Sequence, residues 1–554
     1  MRRLLLIGWV VTLLACAPAG QDTTMAVNVS TLTGGCGQTL DPVSTVERLR
    51  VTVTGPDQDT GLTTTLLESD HKLSTGSNEL RVKGIPSGSG STLTLQGFAT
   101  GEITPSWFGR HRNLSIVQDE VNKVEMVMTR LGQTACMTPP TSFTHRAFPA
   151  AVTLSDGRVL ISGGFTRATT DTQNQVVLNE ASDVALLYDP TTGILSQTSG
   201  TMTRGRAGHT MVAVSLSAGE KVLVFGGTTE MVMKPNNGFP FGLDTAKSLD
   251  SFEVFDVATQ TFTGQDATGT PNQMFSKRAF PLTQRLFDNS ILVAGGGTWA
   301  STDTTYTYAD LWTPSANDGQ GGMFAFTTNR PFMNAVHNGG VMVKLEDTSE
   351  GLTRILVIGG TTDQNNVVEL FTQSSNQAGG ASGAFKSFPF PGLPSLFFPS
   401  VTPLQSRQLL VVGGVAYANT GFQAPTQQAF LLKVEAGDGV TVEAIDTSDT
   451  GCSGRFFHGA VPSFDGSQAI LTGGFSDFSG IASAEPCTFD LSATPRFTKL
   501  SAFQARAGHA VVRLLDDTLL LVGGMEDRTT LDGTSLGLIE VFTPSTIPLT
   551  LATP

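Results

Sequence analysis

Apolar residues gather along this chain in two recurring forms. One is a short alternating run, as in Thr210-Met211-Val212-Ala213-Val214; the other is nearly continuous and closes on two glycines, as in Val222-Leu223-Val224-Phe225 before Gly226-Gly227. Alternation predicts a strand with one buried face, and a continuous run predicts a strand buried on both. The glycine pair returns seven times, at 163–164, 226–227, 295–296, 359–360, 413–414, 473–474 and 523–524. Roughly fourteen residues before most pairs stands a His, Pro or Met (Pro149, His209, Pro281, Met333, Pro399, His458, His509), with an Arg usually three residues earlier. After each pair an aromatic before a turn marks a third strand: Tyr188, Phe255, Trp312, Phe371, Phe489 and Phe542, with Leu432 the weakest case. A shorter fourth strand is expected around Phe262, Phe324, Phe385 and Phe497.

Seven units of four antiparallel strands predict a seven-bladed β-propeller over 141–554. The pattern resembles the kelch repeat, in which the glycine pair ends the second strand and an aromatic lies on the third. Two features depart from it: Phe stands where the fourth strand usually carries Trp, and the distance from glycine pair to aromatic varies from 12 residues (359 to 371) to 29 (226 to 255). The segment from Ile547 to Leu551 is expected to supply the last outer strand. Ahead of the repeats, runs such as Leu49-Arg50-Val51-Thr52-Val53 and Val124-Glu125-Met126-Val127-Met128 alternate between Gly, Pro and Ser turns. They predict a β-sandwich over 26–136, similar to immunoglobulin-like or prealbumin-like modules, after a tether at 17–25.

The N-terminus adds a compartment. Arg2-Arg3, a mostly apolar stretch from Leu4 to Ala15, and then Cys16 read as a signal peptide over 1–16. Leu13-Leu14-Ala15-Cys16 resembles the bacterial lipobox, which implies lipidation of Cys16 and a membrane anchor at the bacterial envelope, with sorting to the outer membrane. Four cysteines then remain, and their placement favours Cys36 with Cys136 and Cys452 with Cys487. A formal net charge of −14 excludes a nucleic-acid partner, because phosphate binding needs a basic footprint.

Candidate chemistry collects at one mouth of the propeller. Arg146, Arg206, Arg278, Arg330, Arg455 and Arg506 each precede an innermost strand, with Leu396 in the fifth repeat. Such a series either ties blade to blade or forms a guanidinium ring for an anionic ligand. The long second-repeat loop carries Met231, Met233, Phe239 and Phe241, and the third-repeat loop carries Trp299, Tyr306 and Tyr308. These side chains either cover the propeller face or meet a protein or glycan partner. The histidines share their register with Pro and Met, so they are expected to fill space or make one hydrogen bond rather than ligate metal. A sandwich before seven kelch units also resembles the layout of galactose oxidase, whose copper centre needs two Tyr, two His and a Cys-linked Tyr. Only Tyr188, Tyr306, Tyr308 and Tyr417 are present, and the cysteines are otherwise assigned. The expectation is therefore a non-enzymatic binding or scaffold module without cofactor, the alternative being an extracytoplasmic hydrolase or oxidase acting at the channel mouth.

Overall fold

The computed structural model describes residues 23–547, except 33–41, 57–61, 73–76, 138, 144, 234–240, 244–245, 298–303, 315–322, 325–329, 349–350, 375–382, 389, 391, 419–420, 436–438, 448–449, 451, 453, 484, 495, 501–503, 529–538 and 546. The signal segment, Cys16, Cys36, Phe239, Trp299 and all but one residue of the expected outer strand at 547–551 lie outside the described residues. The fold is all-β, and the chain divides into two units, residues 1–30 with 41–128 and residues 31–40 with 129–554.

In the N-terminal unit, Thr24–Ser30 pairs antiparallel with Glu79–Lys83 on one edge and parallel with Val121–Val127 on the other. A second sheet runs in the order Thr63–His71, Arg48–Pro56, Gly88–Phe98, Trp107–Ile116. Alternation sends Val27 and Val29 from the first sheet and Leu49, Val51, Val53, Leu93 and Leu95 from the second into one shared core.

Among the described residues, seven four-stranded antiparallel sheets of the larger unit follow the repeats, one to each glycine pair. In the first the order is Ala150–Thr153, Val159–Ser162, Ala185–Asp189, Ile194–Gln197; in the second it is Thr210–Leu216, Gly219–Phe225, Phe252–Asp256, Thr261–Thr263. The remaining sheets start with Leu282–Arg285, Val341–Thr348, Ser400–Leu404, Gly459–Pro462 and Ala510–Arg513. Each first strand neighbours the next, and the seventh neighbours the first, so the first strands form a cycle. Second strands such as Leu519–Val522 are buried throughout, as their continuous apolar runs require.

The fourth strand of the seventh sheet corrects an expectation. It is Gln133–Met137, antiparallel to Ile539–Thr543, and not the C-terminal tail. Residues 133–136 therefore belong to the last repeat sheet and not to the N-terminal unit. The physical gain is that Ile539–Thr543 is paired on both sides instead of left as an open edge.

The glycine pairs hold the cycle together. Gly164 N–H donates to the Arg206 carbonyl at 2.9 Å, Gly227 to Arg278 at 2.8 Å, Gly474 to Arg506 at 2.7 Å, and Gly524 back to Arg146 at 2.6 Å. A side chain on the first glycine of a pair would collide with that same carbonyl: a Cβ on Gly226 would lie 2.3 Å from the Arg278 oxygen. The pair recurs because the next sheet's backbone occupies the space.

Candidate functional site

The repeated arginines are internal clasps. Arg206 donates to Gly226 O at 2.7 Å and to Glu253 Oε1 at 2.6 Å, with both side chains fully buried. Arg278 joins Gly295 O at 2.5 Å and Asp310 at 3.0 Å. Arg506 joins Gly523 O at 3.0 Å and Glu540. Each guanidinium thus ties the end of the second strand to a third-strand carboxylate of its own sheet. Arg146 has no such acid, since Leu186 holds that register, and donates to Ser142 O at 2.8 Å instead. Burial lowers the pKa of Arg146 and Arg455 to about 10.

Arg330 does not belong to this series. The fourth-sheet position is taken by His337, which bonds Gly359 O at 2.6 Å and Glu369 at 3.1 Å. The landmark shifts because the first hairpin there is longer and bulged between Lys344 and Glu346. Arg330 instead pairs with Asp310 and stacks over Phe275, 4.4 Å from its centroid. In the fifth sheet Leu396 occupies the clasp position and Phe430 the acid position, so both partners have become apolar together. In the sixth, Cys487 stands where the acid would be: it is bonded to Cys452, and its Sγ lies 3.8 Å from Arg455. Cys136 is also disulfide-bonded, while its expected partner Cys36 is outside the described residues.

The histidines link neighbouring sheets. His209 lies 2.9 Å from Ser162 Oγ, His458 2.7 Å from Ser400 Oγ, and His509 2.8 Å from Thr472 Oγ1. Burial, aided by the adjacent clasp arginine, pushes all three pKa values down, that of His458 to about 3.

Beside these clasps the axis of the cycle is filled. Two residues after each clasp position the backbone has positive φ, with Phe148, Phe280, Phe398 and Phe457 in four sheets and Gly208, Gly339 and Gly508 in the others. The four rings come from four different sheets yet meet: Phe148 is 4.8 Å from Phe457 and 5.3 Å from Phe280, and Phe398 is 4.5 Å from Phe457. Glycine stands at the other three positions because there is no room for seven rings. A Cβ on Gly208 would lie 2.7 Å from Phe280, and one on Gly339 would lie 2.7 Å from Phe398. The recurrence of either Phe or Gly two residues after the clasp position was the sequence signal for this plug.

Over the plug lies a second layer. Met231–Met233 pairs with Val176–Ala181 and Phe241–Gly242 in a sheet begun by Phe165–Thr170, and Ser395–Phe397, Val415–Ala418 and Gly421–Pro425 form another. Met231 and Met233 are buried with Phe165, Phe148 and Phe457 in one apolar cluster. Met231 and Met233, expected to cover the propeller face or meet a partner, are therefore part of the fold's own core. Of the aromatic loop residues, Tyr306 is buried and Tyr308 is 44% exposed, leaning on Phe332.

Open volume lies at the opposite end, where first strands turn into their hairpins. A cavity of about 480 Å³ is bordered by the first three sheets, with Thr153, Ser155, Glu220, Thr283, Gln284 and Arg285 among its polar lining. Ser155 donates its backbone N–H and its hydroxyl to the two oxygens of Glu220, each at 2.8 Å, fixing the carboxylate across two sheets. None of these residues was singled out by the repeat pattern.

No family model and no curated protein matches this chain. Solved structures with a similar fold include a fungal alcohol oxidase of the AA5 family in complex with copper, at 16% identity and a TM-score of 0.49, covering 76% of this chain and 79% of the other. Another is YjhT, at 11% identity and a TM-score of 0.37, covering 73% and 95%. The expectation of a non-enzymatic binding or scaffold module is corrected to the extent that an oxidase stands among the solved structures this chain is similar to. At such identities the likeness concerns the fold, and the copper chemistry belongs to that protein.

Proposed function

We propose that the chain is an extracytoplasmic enzyme, built as a β-sandwich followed by a closed seven-bladed kelch-like propeller and anchored at the bacterial envelope through Cys16. Its reaction takes place at the hairpin end of the propeller channel. The observation that carries this reading is the polar cavity there, with one carboxylate, Glu220, held in place by Ser155. A fixed carboxylate in a cleft can pass a proton to or from a bound hydroxyl or leaving group. Hydrolysis of a small polar substrate is the reaction class this supports.

A galactose-oxidase-type copper centre fits less well. Among the described residues no three His, Cys, Asp or Glu side chains converge as a metal site. Tyr188 is buried in the first sheet, and His209, His458 and His509 are engaged between sheets. No step is therefore assigned to copper.

The test is a turnover screen of the full chain on chromogenic glycosides, esters and phosphate monoesters, with alcohol-dependent peroxide release in added Cu(II) as a separate arm. Hydrolysis in one class, lowered about 100-fold or more by Glu220→Gln, is the expected result. Peroxide release that survives Glu220→Gln would replace this reading with an oxidase. Hydrolysis indifferent to the substitution would move the site out of the cavity.

A further inference from the structure

We infer that the hairpin-end cavity takes a substrate carrying an oxyanion, a carboxylate or a phosphate, and that Arg285 is its receptor. This rests on the hairpin-end reading above and assigns the substrate class.

The argument begins with what distinguishes Arg285 from the other arginines near the axis. Arg206, Arg278 and Arg506 are buried, and each has both a carbonyl and a carboxylate as partners. Arg285 closes the first strand of the third sheet, is exposed, and its guanidinium makes no hydrogen bond or ion pair among the described residues. It lines the cavity, and the one acid that lines it too, Glu220, already accepts two hydrogen bonds from Ser155. In a protein of net charge −14, the cavity therefore presents an uncommitted cation.

The rest of the lining suits an oxyanion. A guanidinium offers five N–H donors in a planar fork that matches carboxylate and phosphate geometry. Thr153, Thr283 and Gln284 add hydroxyl and amide donors around the same volume. That volume is enough for a small molecule. Charge-assisted bonds to Arg285 would orient the anionic group and leave the neutral remainder of the substrate toward Glu220.

Calorimetric titration of the full chain with glucuronate, inorganic phosphate and glucose tests this. The expected result is binding of at least one of the two anions, weakened tenfold or more by Arg285→Gln at an unchanged thermal midpoint, and partly restored by Arg285→Lys. Glucuronate without phosphate identifies a carboxylate ligand, and the converse a phosphate ligand. Equal affinity for glucose, undiminished anion binding in Arg285→Gln, or no binding of either anion would overturn the assignment. Turnover that needs Glu220 but ignores Arg285→Gln would sink the oxyanion and leave the enzyme reading standing. Anion binding that depends on Arg285 without turnover of any substrate would do the reverse.

Discussion

The two ends of the cycle of first strands are made from the same seven segments and have opposite characters. At the loop end, residues at equivalent repeat positions act together: clasps, glycine pairs and a four-ring plug, with a second layer of sheet packed against the plug. At the hairpin end, seven residues beyond each clasp position, the chain holds Thr153, Ala213, Arg285, Lys344, Pro403, Pro462 and Arg513, a mixture of cations, prolines and small side chains with no residue common to all seven. Recurrence thus reports what closes the cycle, and irregularity reports where it has been left free to differ. The sequence draws attention to the recurring end, while the open polar volume is at the other.

Substitutions can break this contrast at the packed end, and the largest effect belongs to the clasps. Arg506→Ala leaves Glu540 buried without its partner and should cost about 3–5 kcal/mol in urea unfolding. Adding Glu540→Phe to Arg506→Leu copies the natural Leu396 and Phe430 of the fifth sheet and should recover most of that loss. A double variant as unstable as Arg506→Ala would mean that the clasp does more than neutralise a buried charge. Next is the Cys452–Cys487 bond, which closes a loop of sequence separation 35. Its removal in the double variant Cys452→Ser with Cys487→Ser should lower stability by roughly 3 to 4 kcal/mol, read as a shift in the denaturation midpoint. Phe457→Ala should cost about 3 kcal/mol by opening the plug. Phe457→Gly should recover part of this, because glycine accepts the positive φ of that position without strain.

A smaller effect depends on pH. Burial keeps His458 neutral in the fold, so below about pH 6.5 the unfolded chain takes up a proton that the folded chain refuses. Its contribution should fall by roughly 1.4 kcal/mol per unit as pH drops from about 6.5 toward 3, and His458→Gln should flatten that slope in urea midpoints measured at pH 7, 5 and 4. At the open end the contrast predicts almost nothing for stability: Arg285→Gln should stay within about 0.5 kcal/mol of the parent. A loss near that of Phe457→Ala would show that the hairpin end is as structural as the plug.

Much of the larger unit was legible in sequence because its physics repeats. Continuous apolar runs placed the second strands, and Tyr188, Phe255, Trp312 and their counterparts fall in third strands as read. The fourth repeat was misread at Arg330 because a bulged hairpin displaces the landmark, and no short-range pattern records that His337 replaces an arginine there. Met231 and Met233 read as covering the propeller face or meeting a partner, and the sequence did not show that what buries them is pairing with Val176–Ala181 from the preceding repeat. The cavity left no trace at all: Glu220 and Ser155 meet across 65 residues, and nothing in either hairpin's own sequence marks the other as its partner.

The pairing of Gln133–Met137 with Ile539–Thr543 also bears on how the protein is made. The strand that completes the final sheet leaves the ribosome before the first repeat does, and its partner leaves after nearly all of the others. Until that partner emerges, both flanks of the nascent array remain open to pairing with other chains. A cell that makes this protein must hold the nascent product back from its neighbours throughout synthesis, and a chain terminated before residue 539 would yield an unclosed, sticky array in place of a shorter working protein.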